Sequence, residues 1–366
     1  MIRYADDRRR VFDALAALAI SLVFAAGCYQ ASDSADDAGT DTDADADSDA
    51  DTDADADTDV DADTDTDVDT DTDTDGDSDS DTDPGYDCDA LPPGPLTFNF
   101  VSGPISGEDI AFDDAGNLIG MGYPALFKSP KAGSPAMWIS DAQCSSGLRA
   151  LSTGDVVCNS GNSFFFFDKI NGVKVPLLTN LSYPNGIEVD LEGFAYVSEQ
   201  SSGEVTKIDP YSGESWVVAS GLSNPNGMSF APDYRTLYVG SFGGGIIYAI
   251  PFDEDGVPGA PATFLTTSDP EAMAVGMTGA FDGMGVDACG NVYICDYGNI
   301  HVYRIAPDAS SVEMLVDLSS MSGWIPNMQW GSGYGDWFDD TLYVSNIGGG
   351  VFEVDLGVPS KHREYP

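Results

Sequence analysis

Four side chains with oxygen donors recur at matching points of a repeated sequence pattern: Glu108, Asn185, Asn226 and Asp282. Two carboxylates and two amides offer only hard oxygen ligands, which suit Ca²⁺ best and Mg²⁺ or Mn²⁺ less readily. The simpler explanation is that Asn-Gly and Asp-Gly are turn residues that recur because the fold recurs. The joint acidic and amide pattern favours a divalent-cation site, with Asn327 as a further candidate in the last unit.

These residues belong to a sequence unit that occurs six times. The clearest copies lie at 183–198, 224–241 and 280–296, and each reads as a strand, a tight turn and a second strand. A period of about 40–45 residues with several short strands is typical of a propeller blade. The sequence therefore predicts an all-β fold, a six-bladed β-propeller over residues 86–366, whose inner strands line a central channel. The equivalent positions, 39 to 56 residues apart, are Gly107, Gly147, Gly186, Gly227, Gly283 and Asn327.

Closure of such a ring requires one strand from the start of the domain beside the strands of the last unit. Leu96–Val101 is our candidate for that outer strand, because it would leave no sheet edge unpaired at the junction. The cysteines of the folded part leave their pairing open, and we favour a Cys144–Cys158 bridge within the second unit. None of these cysteines has a histidine nearby in the sequence, so we expect structural roles for them.

The first 27 residues are predicted to be a lipoprotein signal peptide. Four arginines precede an uncharged run at 14–24 that is too short to span a bilayer. The run ends in Ala25-Ala26-Gly27-Cys28, which resembles a bacterial lipobox with Cys28 as the lipid anchor. An ordinary cleaved signal with an incidental cysteine is the alternative. We expect a location in the bacterial cell envelope, outside the cytoplasmic membrane, with the lipid as the membrane contact.

Residues 28–85 are predicted to form a disordered linker between the lipid anchor and the propeller. Asp occupies every odd position from 41 to 83, interleaved mainly with Thr, Ala and Ser. Such a segment has almost nothing apolar to bury and repels itself. Residues 71–76 match the start of an EF-hand loop, but Thr82 stands where a bidentate Glu is required. A solvated stalk is therefore favoured over a dedicated calcium loop.

The folded part is strongly acidic in its own right. Of the 62 acidic residues, 34 follow Pro84, against ten Lys and Arg, which gives a formal charge near −24. Such a chain has no basic patch to neutralise phosphates, so nucleic acid is excluded as a partner. The expected partner is a small molecule or a surface glycan or protein, and we expect a monomer.

Three segments resemble the regucalcin/gluconolactonase family, also known as the senescence marker protein-like propellers. They are P-N-G-I-E-V-D at 184–190, N-P-N-G-M-S-F at 224–230 and D-G-M-G-V-D at 282–287. The family is akin to the strictosidine synthase-like and paraoxonase propellers, and the resemblance covers roughly residues 102–356. It implies a divalent cation in the channel, bound by Glu108, Asn226 and Asp282, with Asn185 beside metal and substrate. It also implies lactone hydrolysis, in which Asp282 acts in proton transfer.

The sequence departs from the family at some positions. Tyr183 stands where the sugar lactonases carry an Arg, so sugar-acid lactones are disfavoured as substrates. Neither His301 nor His362 matches the channel histidine of the paraoxonase-like enzymes. Three tryptophans are candidates for the channel rim, although packing is the commoner role of Trp: Trp324, Trp330 and Trp337.

Two functional hypotheses therefore stay open. The first is a metal-dependent hydrolase of lactones or esters, displayed outside the cytoplasmic membrane on a long stalk. The second is a non-catalytic surface propeller, in which calcium is structural and the acidic faces bind a glycan, a peptide or a protein. Propellers host both roles, so the fold alone does not decide between them.

Overall fold

A computed structural model of the protein describes residues 85–361. The predicted signal peptide, Cys28, the Asp-rich linker up to residue 84 and His362 lie outside the described residues. The described part forms six four-stranded sheets. The prediction of an all-β, six-bladed propeller is confirmed, and one short helix, α1 (Pro270–Val275), is the exception to its all-β character.

Blades 1 to 5 take their strands in chain order from the channel outward, whereas the outermost strand of blade 6 comes from the start of the domain. Blade 1 contains β2 (Ile110–Phe112), β3 (Asn117–Gly122), β4 (Ala125–Pro130) and β5 (Ala136–Ile139), and blade 2 contains β6 (Leu148–Ala150), β7 (Val156–Ser160), β8 (Ser163–Phe167) and β9 (Lys174–Thr179). Blade 3 contains β10 (Pro184–Val189), β11 (Ala195–Glu199), β12 (Glu204–Ile208) and β13 (Ser215–Ala219), and blade 4 contains β14 (Pro225–Phe230), β15 (Thr236–Ser241), β16 (Ile246–Pro251) and β17 (Ala262–Thr266). Blade 5 contains β18 (Phe281–Val286), β19 (Val292–Asp296), β20 (His301–Ile305) and β21 (Val312–Asp317), and blade 6 contains β22 (Met328–Trp330), β23 (Thr341–Ser345), β24 (Val351–Asp355) and β1 (Asn99–Val101).

The ring closes through β1, the strand from the start of the domain. It pairs antiparallel with β24, and Asn99 lies opposite Glu353 and Val101 opposite Val351. The predicted closure by residues 96–101 is confirmed, with a paired part limited to the last three residues. Phe100 packs against Phe352, with ring centroids 5.2 Å apart, so hydrophobic contact reinforces the backbone pairing.

The described part of the chain contains two disulfide bonds. Cys144 is bonded to Cys158, as predicted, and a second bridge joins Cys88 to Cys289 in the β18–β19 turn. The second bridge ties the start of the domain to blade 5, although β1 pairs in blade 6. Cys295 is a free thiol buried in β19.

The hydrophobic core lies between neighbouring blades. Phe112 of blade 1 contacts Trp337 and Tyr343 of blade 6, with ring centroids 5.3 and 5.4 Å away. Trp330 packs edge-on against Tyr293 of blade 5. Trp330 and Trp337 are therefore core residues, whereas Trp324 is 46% exposed. Within residues 85–361, no helix has the length and apolar character needed to cross a membrane.

Candidate functional site

Three inner strands begin with the same irregularity. The ladder register shifts between Pro184 and Ile187 in blade 3, and the same shift occurs at the equivalent positions of β14 and β18. Each shift is a β-bulge that contains an Asn-Gly or Asp-Gly pair: Asn185-Gly186, Asn226-Gly227 and Asp282-Gly283. Bulges re-aim a side chain and are over-represented at active sites. The repeated motif thus gives each of these three inner strands a side chain with an oxygen atom near its start.

The glycines of these bulges allow neighbouring blades to approach closely. A Cβ on Gly186 would lie 2.3 Å from the carbonyl oxygen of Asn226, and a Cβ on Gly227 would lie 2.0 Å from that of Asp282. Such distances are too short for any real side chain, so only glycine fits. The repetition of the motif within the chain brings the oxygen donors of blades 3, 4 and 5 side by side around the channel.

Glu108 and Asp282 form an acid pair at the mouth of the channel, the end at which the inner strands begin. Asp282 is buried, and Asn226 donates a side-chain hydrogen bond to it. Burial raises the pKa of Asp282 well above its usual range, and the charge of Glu108 raises it further. Burial, followed by the charge of Asp109, raises the pKa of Glu108 to about 7. Within residues 85–361, neither carboxylate forms an ion pair with Lys, Arg or His.

The acid pair fits a divalent cation by the chemistry of its donors. Two carboxylates that lack a cationic partner and are partly or fully buried carry a charge that the surrounding protein does not balance. Among the described residues, no group of three or more His, Cys, Asp or Glu side chains is arranged to hold a metal ion. A site here would therefore need the amide oxygens of Asn226 and Asn185 to complete its ligands, which points to a hard cation.

The two remaining candidates differ in placement. Asn185 occupies the bulge of blade 3, in the position that Asn226 and Asp282 hold in the next two blades, and is half-buried. Asn327 directly precedes the first paired residue of β22, which is the position of the glycine in the other blades. Its Oδ1 accepts a hydrogen bond from the backbone N–H of Met328, at 2.8 Å. Asn327 thus holds the glycine position that the repeat gave it, one residue after the position of the channel donors.

The same comparison corrects blade 1. Asp109, not Gly107, precedes the first paired residue of β2 and takes the glycine position. Its carboxylate is fully buried and accepts hydrogen bonds from Arg149 Nη1 at 2.9 and 3.2 Å and from the Leu148 N–H at 2.8 Å. Burial raises the pKa of Asp109, an effect that the Arg149 charge opposes. Glu108 alone is thus left for the channel mouth.

Arg149 belongs to an ion-pair network that extends away from the acid pair along the channel. Its Nε lies 4.0 Å from Glu188 Oε2, and Glu188 Oε1 lies 2.8 Å from Lys361 Nζ. Lys361 Nζ also donates to Ser229 Oγ at 2.8 Å, and the Lys361 N–H donates to the Val286 carbonyl at the far end of β18. The network therefore links four blades with the C-terminal segment. Sequence reasoning missed it, because its members are far apart in the chain.

Two further buried carboxylates hold the loops that lead into the bulges. Glu199 accepts a hydrogen bond from the Ser182 N–H at 2.6 Å, just before β10. Asp296 accepts bonds from the Thr278 hydroxyl and N–H, just before β18. These carboxylates fix the starts of β10 and β18, the strands that carry Asn185 and Asp282. The hydrogen bonds that they accept satisfy their charge locally.

Comparison with known proteins agrees with the fold. A protein-family model described as "SMP-30/Gluconolactonase/LRE-like region" matches residues 149–322. A gluconolactonase of Zymomonas mobilis is 28% identical over 171 residues, which are 46% of this chain and 42% of that protein. A 6-deoxy-6-sulfogluconolactonase of Pseudomonas putida is 26% identical over 115 residues, 31% of this chain and 37% of that protein. The matched segments thus span less than half of both curated relatives.

Among solved structures, a calcium-binding protein, regucalcin, of Agrobacterium tumefaciens superimposes with a TM-score of 0.57. The superposition covers 73% of this chain and 96% of that one, at 19% sequence identity. At that identity the likeness concerns the fold. The coverage shows that the propeller matches nearly the whole of that structure.

Proposed function

We propose that this chain, which belongs to the gluconolactonase/regucalcin-like family, is a divalent-metal-dependent hydrolase of lactones or esters. The observation that carries the proposal is the acid pair of Glu108 and Asp282, which is partly to fully buried and has no cationic partner in the described part of the chain. A structural role would be served better by an apolar or compensated pair. The pair lies where the inner strands begin, and a substrate carbonyl would reach it from that end of the channel.

Glu108, Asn226 and Asp282 would hold the cation, with Ca²⁺ as the proposed ion. When bound, a divalent cation polarises a carbonyl oxygen and lowers the pKa of a nearby water. Asp282 would accept the proton of the attacking water, and in the metal-free protein burial and the charge of Glu108 raise the pKa of its carboxyl above the usual range. Asn226 orients that carboxylate through its hydrogen bond, and Asn185 would orient the substrate from the next blade.

The test is turnover of a panel of aliphatic and aromatic lactones by the purified full-length protein. Asp282→Asn keeps the size of the side chain and should lower kcat/KM at least about 100-fold, because it removes the proton acceptor and a ligand. Chelation should abolish turnover, and Ca²⁺ should restore it. Glu214→Gln, which removes an exposed carboxylate of blade 3, is the matched control and should leave turnover unchanged. Turnover that persists in Asp282→Asn contradicts the proposal.

The same panel addresses the non-catalytic hypothesis. Calorimetry would show stoichiometric Ca²⁺ binding that Asp282→Asn and Glu108→Gln both abolish, while none of the lactones is hydrolysed. That outcome would leave a surface propeller with a structural cation, whose ligand is a glycan, a peptide or a protein.

We also propose that the chain is an exported lipoprotein of the cell envelope, anchored through Cys28. The proposal is supported by the basic start, the short apolar run and the small residues before the cysteine. In a bacterial host, Cys28→Ser should abolish labelling by a radioactive fatty acid and release the protein from the membrane fraction. Labelling that survives in Cys28→Ser would contradict the anchor assignment.

A further inference from the structure

Three aromatic rings lie in contact at the channel mouth, one from each of blades 4, 5 and 6. Phe242 lies in the β15–β16 turn, Tyr297 in the β19–β20 turn, and Trp324 in the segment that leads into β22. Tyr297 and Trp324 are stacked, with ring centroids 4.7 Å apart and an angle of 10° between the planes. Phe242 meets Tyr297 edge-on at 5.8 Å. These three residues are termed the aromatic arc.

The arc lies beside the acid pair. The Tyr297 N–H donates to the carbonyl of Ala280 at 2.9 Å, two residues before Asp282, and Phe242 pairs with the same Ala280. Burial raises the pKa of Tyr297, and the charges of Glu108 and Asp282 raise it further, so its hydroxyl lies within electrostatic reach of the two carboxylates. The arc therefore borders the position where a carbonyl would react.

Packing within the protein does not explain the exposure of Trp324. Trp324 is 46% exposed although it has a stacked partner, whereas Trp330 and Trp337 of the same blade are buried. Ligand pockets combine a mainly aromatic or apolar lining with a few placed polar groups. The exposed Trp324, stacked on the half-buried Tyr297 next to two carboxylates, has that composition.

The mouth also lacks positive charge. Of the nine Lys and Arg residues between positions 85 and 361, eight are bonded to carboxylate or carbonyl oxygens. The ninth, Arg235, lies in the β14–β15 turn, at the opposite end of the inner strands. Tyr183, just before β10, is 60% exposed on the mouth side. Nothing here would offset the charge of an anionic substrate beyond a bound cation.

We infer that the substrates are neutral lactones that carry a planar apolar ring, which packs against Trp324 and Tyr297 while the carbonyl reaches the acid pair. The reaction itself rests on the proposed function, but recognition of the ring is a binding property that can be measured without turnover. Trp324 and Tyr297 are thus specificity-determining residues, and they discriminate by aromatic contact rather than by charge.

The first experiment compares kcat/KM for dihydrocoumarin, which has a fused aromatic ring, with that for δ-valerolactone, which has none. Trp324→Ala should lower the value for dihydrocoumarin about tenfold or more and that for δ-valerolactone less than about threefold. Trp324→Phe should retain most of the difference between the two lactones. A sulfonated dihydrocoumarin, with the same ring and a negative charge, should be hydrolysed at least about tenfold less efficiently.

Trp216→Ala is the matched control. Trp216 is 43% exposed, close to the value for Trp324, but it lies on the outer strand β13 of blade 3 and packs against Phe194. Its removal should leave both lactones unaffected. Thermal unfolding of each variant checks that the propeller is intact.

The second experiment measures binding of 2-tetralone and cyclohexanone, ketones of matching shape that cannot be hydrolysed. The wild type should bind 2-tetralone at least about tenfold more tightly than cyclohexanone, and Trp324→Ala should lose that preference. If no lactone is hydrolysed but this preference exists, the proposed function fails, and recognition of a planar ring by Trp324 still holds as a binding property. If lactones are hydrolysed but Trp324→Ala affects both equally and 2-tetralone has no advantage, the inference is overturned.

Discussion

The channel holds two sets of carboxylates, one without and one with a cationic side chain as partner. At the mouth, Glu108 and Asp282 are close enough for the charge of one to raise the pKa of the other, and no Lys, Arg or His of residues 85–361 pairs with either. Farther along, Asp109 and Glu188 are buried, and Arg149 and Lys361 pair with them at 2.9 and 2.8 Å. The two sets therefore differ in whether a cationic side chain balances their charge.

This difference separates a binding site from a structural support. A buried carboxylate that has a cationic partner gains little on balance, but loss of either partner leaves an unpaired charge in the interior. A buried carboxylate without a partner weakens the fold until a cation or a proton arrives. We therefore expect substitutions in the two sets to change stability in opposite directions, and the following predictions test that contrast.

The largest expected effect is that of Asp109→Asn. It should lower the free energy of unfolding by about 3–5 kcal/mol, because Arg149 is buried and would lose the carboxylate that contacts it at 2.9 Å. Glu108→Gln is the matched change in the neighbouring residue. In the absence of metal at pH 8 it should leave stability unchanged or raise it, since it removes a charge that has no partner. Urea unfolding of both variants in the presence of EDTA measures the contrast, and a loss of similar size in both would refute it.

The next effect is the pH dependence of the metal-free protein. The pKa of Glu108 is about 7 in the folded state against 4.5 ordinarily, so the folded protein holds a proton that the unfolded chain releases. Stability should therefore be fully present below about pH 4.5 and should fall as pH rises through 7, by about 2–3 kcal/mol. Asp282 acts in the same direction. Glu108→Gln should flatten this slope, and a saturating divalent cation should do the same. A slope identical in wild type and variant would show that Glu108 does not titrate in this range.

The smallest effect is expected for Lys361→Met. It removes the charged hydrogen bond to Glu188 and the bond to Ser229, and should cost about 1–3 kcal/mol. Lys169→Met is the control, since Lys169 is one-third exposed and lies 3.7 Å from the exposed Asp114, and should cost less than about 1 kcal/mol. Thermal unfolding compares the two variants. Equal melting temperatures would show that the C-terminal segment does not support the channel.

The fold could be read from the sequence because a propeller is built from local units. Five of the six blades are antiparallel sheets of consecutive strands, so a unit that recurs 39 to 56 residues apart already indicated the number of blades. The candidate donors Asn185, Asn226 and Asp282 followed from the same recurrence, because equivalent positions of a closed ring converge. Cys144 precedes β6 and Cys158 lies in β7, the strand that pairs with β6, so both cysteines belong to one repeat unit and their bridge was predictable.

The tertiary structure alone decided what each carboxylate does. Glu108 and Asp109 are adjacent in the chain, yet one faces the mouth and the other bonds Arg149, because a shift of one residue in a strand reverses the direction of the side chain. The same shift separates Asn327 from the channel donors. The pairing of Glu188 with Lys361, and the contacts of Tyr297 with Phe242 and Trp324, join residues that are distant in sequence. Such contacts depend on the packing between blades, which no local pattern encodes.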